Sequence, residues 1–136
     1  MRYANFLKHI SAVCLILSVI VVCVGVSAKR KPAPIVKSIT HDRITYSAQG
    51  DGVTGYVVAT GAISGEELWR AKIYTVRVNP ALEFDVQQIF ISGLKLAGER
   101  LLIRDEAGRC YQLDISKRSA NGVSCSVYRA APIPKD

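Results

Sequence analysis

The side chains able to do chemistry are few and widely spaced. His41 is followed by Asp42, and the other histidine, His9, sits at the edge of an N-terminal apolar run. One imidazole cannot build a His-rich metal site, and a nucleophile–base–carboxylate set would have to recruit it from what reads as a first turn. A solvated His-Asp turn is the simpler reading. Carboxylates occur as Glu66-Glu67, Glu83 with Asp85, and Asp105-Glu106. Glycoside cleavage needs two carboxyl groups facing across a cleft, whereas these fall in turns, where acids are ordinarily hydrated. Cys110 and Cys125 lack the C-x-x-C spacing of redox and zinc sites. The sequence contains no G-x-x-x-x-G-K-S/T, G-x-G-x-x-G or G-x-S-x-G pattern. No catalytic, metal or cofactor-binding residue is assigned on these grounds, no cofactor is expected, and a small hydrolase ranks last among the functions.

Binding residues are easier to nominate. In the run LWRAKIYTVRV, Arg70, Lys72 and Tyr74 share one face of a strand, opposite Trp69, Ala71 and Ile73. That alternation sends Trp69 to the core and makes Arg70, Lys72 and Tyr74 the candidate interaction face. The simpler alternative is an amphipathic strand whose basic side chains are only hydrated. The most distinctive stretch is 79–96, NPALEFDVQQIFISGLKL, where Leu82, Phe84 and Val86 alternate with Glu83 and Asp85. It reads as a core strand entered through a Pro-started turn, or else as a dimer edge or groove.

The elements that must position these residues read as strands. Short β-branched or aromatic runs cover 44–48, 53–60, 68–78, 86–96, 100–105, 109–115 and 123–128, cut by Gly, Asn and Asp. About seven such strands imply an all-β domain, a small antiparallel sandwich or a barrel-like meander. The three-residue connections Ala97-Gly98-Glu99 and Glu106-Ala107-Gly108 predict hairpins. Gly93 marks a bulge or bend. In the sixth strand Tyr111, Leu113 and Ile115 share one face and Cys110, Gln112 and Asp114 the other; in the seventh, Cys125 shares the apolar face with Val123 and Val127. A direct Cys110–Cys125 cross-strand bridge would set a polar face beside an apolar one. The pair could instead meet across two sheets, or stay reduced.

The β domain is bounded at 39–130, preceded by a basic, Pro-containing linker at 29–38 and followed by a tail at 131–136. Residues 10–28, ISAVCLILSVIVVCVGVSA, carry no charged side chain and follow Arg2 and Lys8. Such a run suits a helix in a translocon or a membrane. Val26-Ser27-Ala28 offers small residues for signal-peptide cleavage. The run is also longer than an ordinary signal core, and Lys29-Arg30-Lys31 follow it directly. Residues 1–28 are therefore a signal peptide or an uncleaved N-terminal membrane anchor, and the protein is exported, to be periplasmic, secreted or anchored. An even cysteine pair beyond this segment is consistent with one disulfide in an oxidising compartment. Beyond residue 28 the sequence holds 16 Lys+Arg and 11 Asp+Glu, a formal charge of +5, which favours anionic surfaces. An exported protein rarely meets nucleic acid, so the expected partner is a protein or an anionic envelope polymer, with membrane contact through 1–28 if uncleaved.

The stretch Ala59 to Trp69, ATGAISGEELW, resembles the Ala-x-Asp-x-x-Thr-Gly-x-x-x-Trp repeat of pyrroloquinoline-quinone-type β-propellers. Gly65 and Trp69 match, Ser64 stands for the Thr, and Gly61 replaces the Asp. A second echo is LLIRDEAGRCYQLDISKRS at 101–119, whose final turn has Lys117-Arg118 where the repeat has Thr-Gly. The resemblance covers about a third of the chain, and a closed propeller needs at least about four blades of four strands, so it implies a shared turn-and-tryptophan device and not a propeller or its cofactor. The chain also resembles small uncharacterised exported bacterial proteins. The functional expectation is a binding or interaction module of the bacterial envelope, or alternatively an exported inhibitor or immunity-type protein of an envelope enzyme.

Overall fold

The computed structural model describes residues 30–132; the N-terminal apolar segment and the last four residues lie outside the described residues. Eight strands form in chain order: β1 (Ile39–His41), β2 (Ile44–Gly50), β3 (Thr54–Gly61), β4 (Glu67–Thr75), β5 (Ile91–Ala97), β6 (Arg100–Asp105), β7 (Cys110–Asp114) and β8 (Ser119–Val123). One short helix follows, α1 (Cys125–Ala130), and a single 3-10 turn occupies Asp85–Gln87. The strands make two antiparallel four-stranded sheets, β1-β2-β3-β4 and β5-β6-β7-β8, each in sequential order. Every neighbouring pair is a hairpin, including the two that the three-residue connections predict.

The turns explain why the chain reverses where it does. Asp42 and Arg43 both take positive φ (49° and 63°), closing a two-residue hairpin of the kind whose twist matches the strands. At the next reversal Asp51 Oδ1 accepts hydrogen bonds from the amides of Val53 and Thr54, at 2.8 and 2.7 Å. The 61–65 turn closes through the Gly65 amide, which donates to Gly61 at 2.8 Å, with Gly65 at φ 71°. The serine and glycine of the ATGAISGEELW stretch thus shape a tight turn. Trp69 stands half-buried against the core, its ring 5.9 Å from that of Tyr46.

The sheets bury one face each on the other. Ile39, Tyr46, Val57, Ala59, Ala71 and Ile73 meet Ile91, Leu94, Leu101, Ile103 and Leu113 in one cluster. Tyr111 and Ile115 pack against it with Leu113, as their alternation predicts. β6 is apolar on both faces because Leu102 points the other way and is also buried, under α1.

Four sequence expectations are corrected. The segment 123–128 is not a strand: Ser124 caps a helix there, its hydroxyl accepting from the Ser126 amide at 3.4 Å. The last strand is β8, in what reads as a loop. Residues 82–88 do not enter the core as a strand but form an exposed loop with one 3-10 turn. Arg30, in what the sequence reads as a basic linker, is instead tied to the domain: it donates to Glu106 at 2.6 Å and to Gln88 at 2.9 Å, and stacks 4.4 Å from the Phe90 ring. The fourth correction concerns Tyr74 and is given with the site.

The disulfide forms between Cys110 and Cys125, with Cα atoms 5.2 Å apart. The expected conflict of faces disappears because Cys125 is helical. Cys110 lies on the outer face of β7, where α1 packs, and the bond staples the helix there. A protein disulfide of this kind is maintained in an oxidising, extracytoplasmic environment.

Candidate functional site

The expected interaction face divides. β3 and β4 pair as Gly55↔Tyr74 and then Tyr56↔Lys72, so Ile73 is an extra residue in the ladder. A bulge of one residue reverses the alternation beyond it. Arg70 and Lys72 stay exposed, but Tyr74 turns inward with Ile73 and is buried. Its ring stacks on Tyr111 at 5.5 Å, fills the space that Gly55 leaves without a Cβ, and donates its hydroxyl to the Ile89 carbonyl at 2.9 Å. Arg70 is itself engaged. It donates twice to Glu67, at 3.2 and 2.9 Å, and lies 5.4 Å from the Tyr56 ring. That pairing holds Glu67 below the usual carboxylate range. The face therefore presents a neutralised pair and Lys72.

The His41-Asp42 pair is real but peripheral. His41 Nε2 lies 3.2 Å from Asp42 Oδ2, and the imidazole is 49% exposed. Both line an open cleft of about 500 Å³ at one end of the sandwich, over Ile44, Tyr46, Leu96 and Ile115. Ser116 lines it too, but its hydroxyl donates to Asp114 at 2.8 Å. Histidine, hydroxyl and carboxylate thus share a cleft, with the imidazole turned to Asp42 and the Ser116 hydroxyl to Asp114.

The most distinctive surface is the loop joining the sheets. Leu82, Phe84 and Val86 are 58%, 53% and 57% exposed. Their neighbours Glu83 and Asp85 are exposed as well. Gln87 holds the loop from within. Its Nε2 donates to the carbonyls of Asn79, Leu82 and Glu83, at 3.0, 3.2 and 3.0 Å, and its Oε1 accepts from the Asn79 amide at 2.7 Å. Asn79 Oδ1 accepts from Ala81 across Pro80, an Asx turn that starts the reversal. Both ends are clamped to sheet one: the Val76 amide donates to Val53 at 2.7 Å and the Ile89 amide to Gly52 at 2.8 Å. Backbone polar groups that a strand ladder would satisfy are satisfied here by one glutamine. The alternating apolar residues are left facing solvent. Sequence reasoning flagged these residues and missed Gln87, which carries no signal of its own beyond lying eight positions after an Asn-Pro turn.

Sheet two carries the one buried charged side chain among the described residues. Asp105, 1% exposed, accepts from Arg109 Nε at 2.7 Å, the Arg109 amide at 2.8 Å and the Tyr111 hydroxyl at 3.2 Å. Burial, with the Asp105 charge second, raises the Tyr111 pKa, and the same two causes raise Tyr74 further, so both phenols remain donors at neutral pH. The network ties the β6–β7 turn to β4 and, through Tyr74, to the exit of the loop.

Comparison with known protein families and with curated proteins finds no match for this chain.

Proposed function

We propose that the protein is an exported interaction module of the bacterial envelope, docking a partner protein through loop 79–88. One observation carries this reading: three large apolar side chains are exposed on a loop whose backbone is already fixed by Gln87. A preorganised loop loses less conformational freedom on binding than a mobile one. Exposed apolar surface on a rigid support is the usual signature of a contact site. Glu83 and Asp85, interleaved with the apolar residues, favour a partner with an apolar pocket rimmed by basic groups, and disfavour an anionic lipid surface.

The rigidity of the loop also supports the second reading, an inhibitor or immunity-type protein whose loop enters the concave site of an envelope enzyme. Hydrolysis by this chain ranks below both. The disulfide supports export, with the chain either released after Ala28 or held by residues 1–28. The sequential four-strand order of each sheet is that of a propeller blade. It supports kinship with that repeat, with two units buried on each other.

Site-specific photocrosslinking in the native host tests the docking. A photoreactive phenylalanine at position 84 yields one recurrent adduct, and the same group at Ile63, an exposed residue of the 61–65 turn, does not. Combining it with Leu82→Ser reduces the adduct roughly tenfold without changing the melting temperature, because burying such a side chain contributes about 1–2 kcal/mol. Equal labelling from both positions, or an adduct indifferent to Leu82→Ser, removes the loop from the argument.

A further inference from the structure

A second surface, remote in sequence from the docking loop, has the chemistry of an anion site. α1 lies across the outer face of sheet two and is held there in three ways. Cys125 is bonded to Cys110 of β7. Lys95 of β5 donates to the carbonyls of Tyr128 and Ala131, at 3.0 and 2.9 Å, capping the last turn with a cation, and its ammonium lies 4.9 Å from the Tyr128 ring. The Tyr128 hydroxyl occupies the space over Gly93, where a Cβ would stand 2.2 Å away. A six-residue helix does not persist in water unaided, so these anchors fix its position.

Between the fixed helix and the β6–β7 end lies a small cleft of about 240 Å³, lined by Arg104, Gly108, Cys125, Tyr128 and Arg129. Arg104 comes from β6 and Arg129 from α1, so two arginines from different elements line one space. Arg30 is paired with Glu106, Arg70 with Glu67 and Arg109 with Asp105; what sets Arg104 and Arg129 apart from the other arginines without an acidic partner is that both line one cleft. Among the described residues neither Arg104 nor Arg129 has an acidic partner, and the Tyr128 hydroxyl makes no hydrogen bond. Two arginines and a tyrosine line a space the size of several waters, which no carboxylate among the described residues lines. Burial raises the Tyr128 pKa, which keeps its hydroxyl a donor.

We infer that the cleft formed by Arg104, Tyr128 and Arg129 binds a phosphate group. Guanidinium groups bind phosphate oxygens through paired N–H donors, and a phosphate offers two arginines more acceptor oxygens and more negative charge than a carboxylate does. The cleft is smaller than the ~300 Å³ lower bound of drug-sized pockets, which limits the recognised unit to the group itself. The rest of the ligand would lie outside. The disulfide acts here as a positioning bond, holding Arg129 opposite Arg104.

Titration of the oxidised, isotope-labelled protein with inorganic phosphate, followed by amide and arginine Nε resonances, reads the site directly. Saturable shifts confined to Arg104, Gly108, Tyr128 and Arg129 are expected. Arg104→Gln and Arg129→Gln each weaken binding roughly tenfold or more, while Arg100→Gln, at the other end of β6, leaves it unchanged. Acetate produces no saturable shift. A poly(glycerol phosphate) titration separates the sources: tighter binding per phosphate assigns the ligand to an anionic polymer, equal binding to the free ion. Diffuse, unsaturated shifts over all basic residues, equal loss in Arg100→Gln, or equal binding of acetate overturns the assignment.

Discussion

Removing the Asp105 carboxylate tests whether the polar network on sheet two supports the fold. Asp105→Ala strands three donors. The Arg109 amide, part-buried in an otherwise exposed turn, loses its acceptor at 2.8 Å, which costs about 1–2 kcal/mol. The Tyr111 hydroxyl loses a charged acceptor at 3.2 Å and is half-buried, so it recovers part of its bonding from water and costs about 1 kcal/mol. The Arg109 guanidinium is 48% exposed, so its lost ion pair is worth only about 0–1 kcal/mol. Relief of the carboxylate's own desolvation offsets some of this. The sum is about 2–3 kcal/mol, or a fall in melting temperature of about 8–24 °C for a domain of this size. Arg109→Ala takes away an exposed group but leaves the buried charge with only the Arg109-position amide and Tyr111, so it costs a comparable amount, about 2–3 kcal/mol. The double substitution costs less than the sum, because each single change already breaks the same bond. Urea unfolding followed by circular dichroism at neutral pH measures all three. Additive effects, or single effects within about 0.5 kcal/mol of zero, refute the claim that the network is a coupled structural unit.

Tyr74→Phe deletes the donor to Ile89 and costs about 1 kcal/mol at pH 7. Because burial raises the folded-state pKa of Tyr74 above its ordinary value near 10, wild-type stability is level below that pH and falls as pH rises beyond it. The Tyr74→Phe variant falls less steeply between pH 9 and 11, and parallel melting profiles contradict the assignment. The Cys110–Cys125 bond spans a sequence separation of 15, for which the loop-entropy model gives about 3 kcal/mol. Reduction is expected to lower urea stability by about that amount and to speed amide exchange first in α1. Unchanged exchange there shows that Lys95 and Tyr128 hold the helix alone.

Much of the fold is legible because β-branched and aromatic runs, cut by turn residues, mark β2, β3, β6 and β7, and in β7 alternation agrees with burial. Tyr111, Leu113 and Ile115 point inward as their spacing requires. The misreadings have separate physical causes. At Tyr74 a single extra residue, Ile73, inverts the pattern, and the only local trace is Gly55 on the opposite strand, which admits the tyrosine ring. At 123–128 the composition is that of a strand, and a six-residue helix is too short to print a helical stripe. Its start is set by the Ser124 cap, and its place by long-range anchors. β8, SANGV, is low in β propensity and exists because β7 offers it a ladder. For Arg104 and Arg129, sequence shows two basic residues among many; only the fold places them at one cleft.

The loop at 79–88 shows why an alternating apolar pattern is ambiguous in principle. Leu82, Phe84 and Val86 have the spacing of a core strand, and a strand is stabilised by two things at once, its ladder and its buried face. Here the two are separated. The Gln87 amide and the flanking clamps to Val53 and Gly52 satisfy the backbone, so the loop keeps its shape without burying those side chains. Their exposure is then not a by-product of poor packing. The fold gains nothing from them where they stand, and surface substitutions of this kind shift stability by no more than about 0.5 kcal/mol. Apolar groups that the fold does not use, on a support that the fold does maintain, are available to a second molecule.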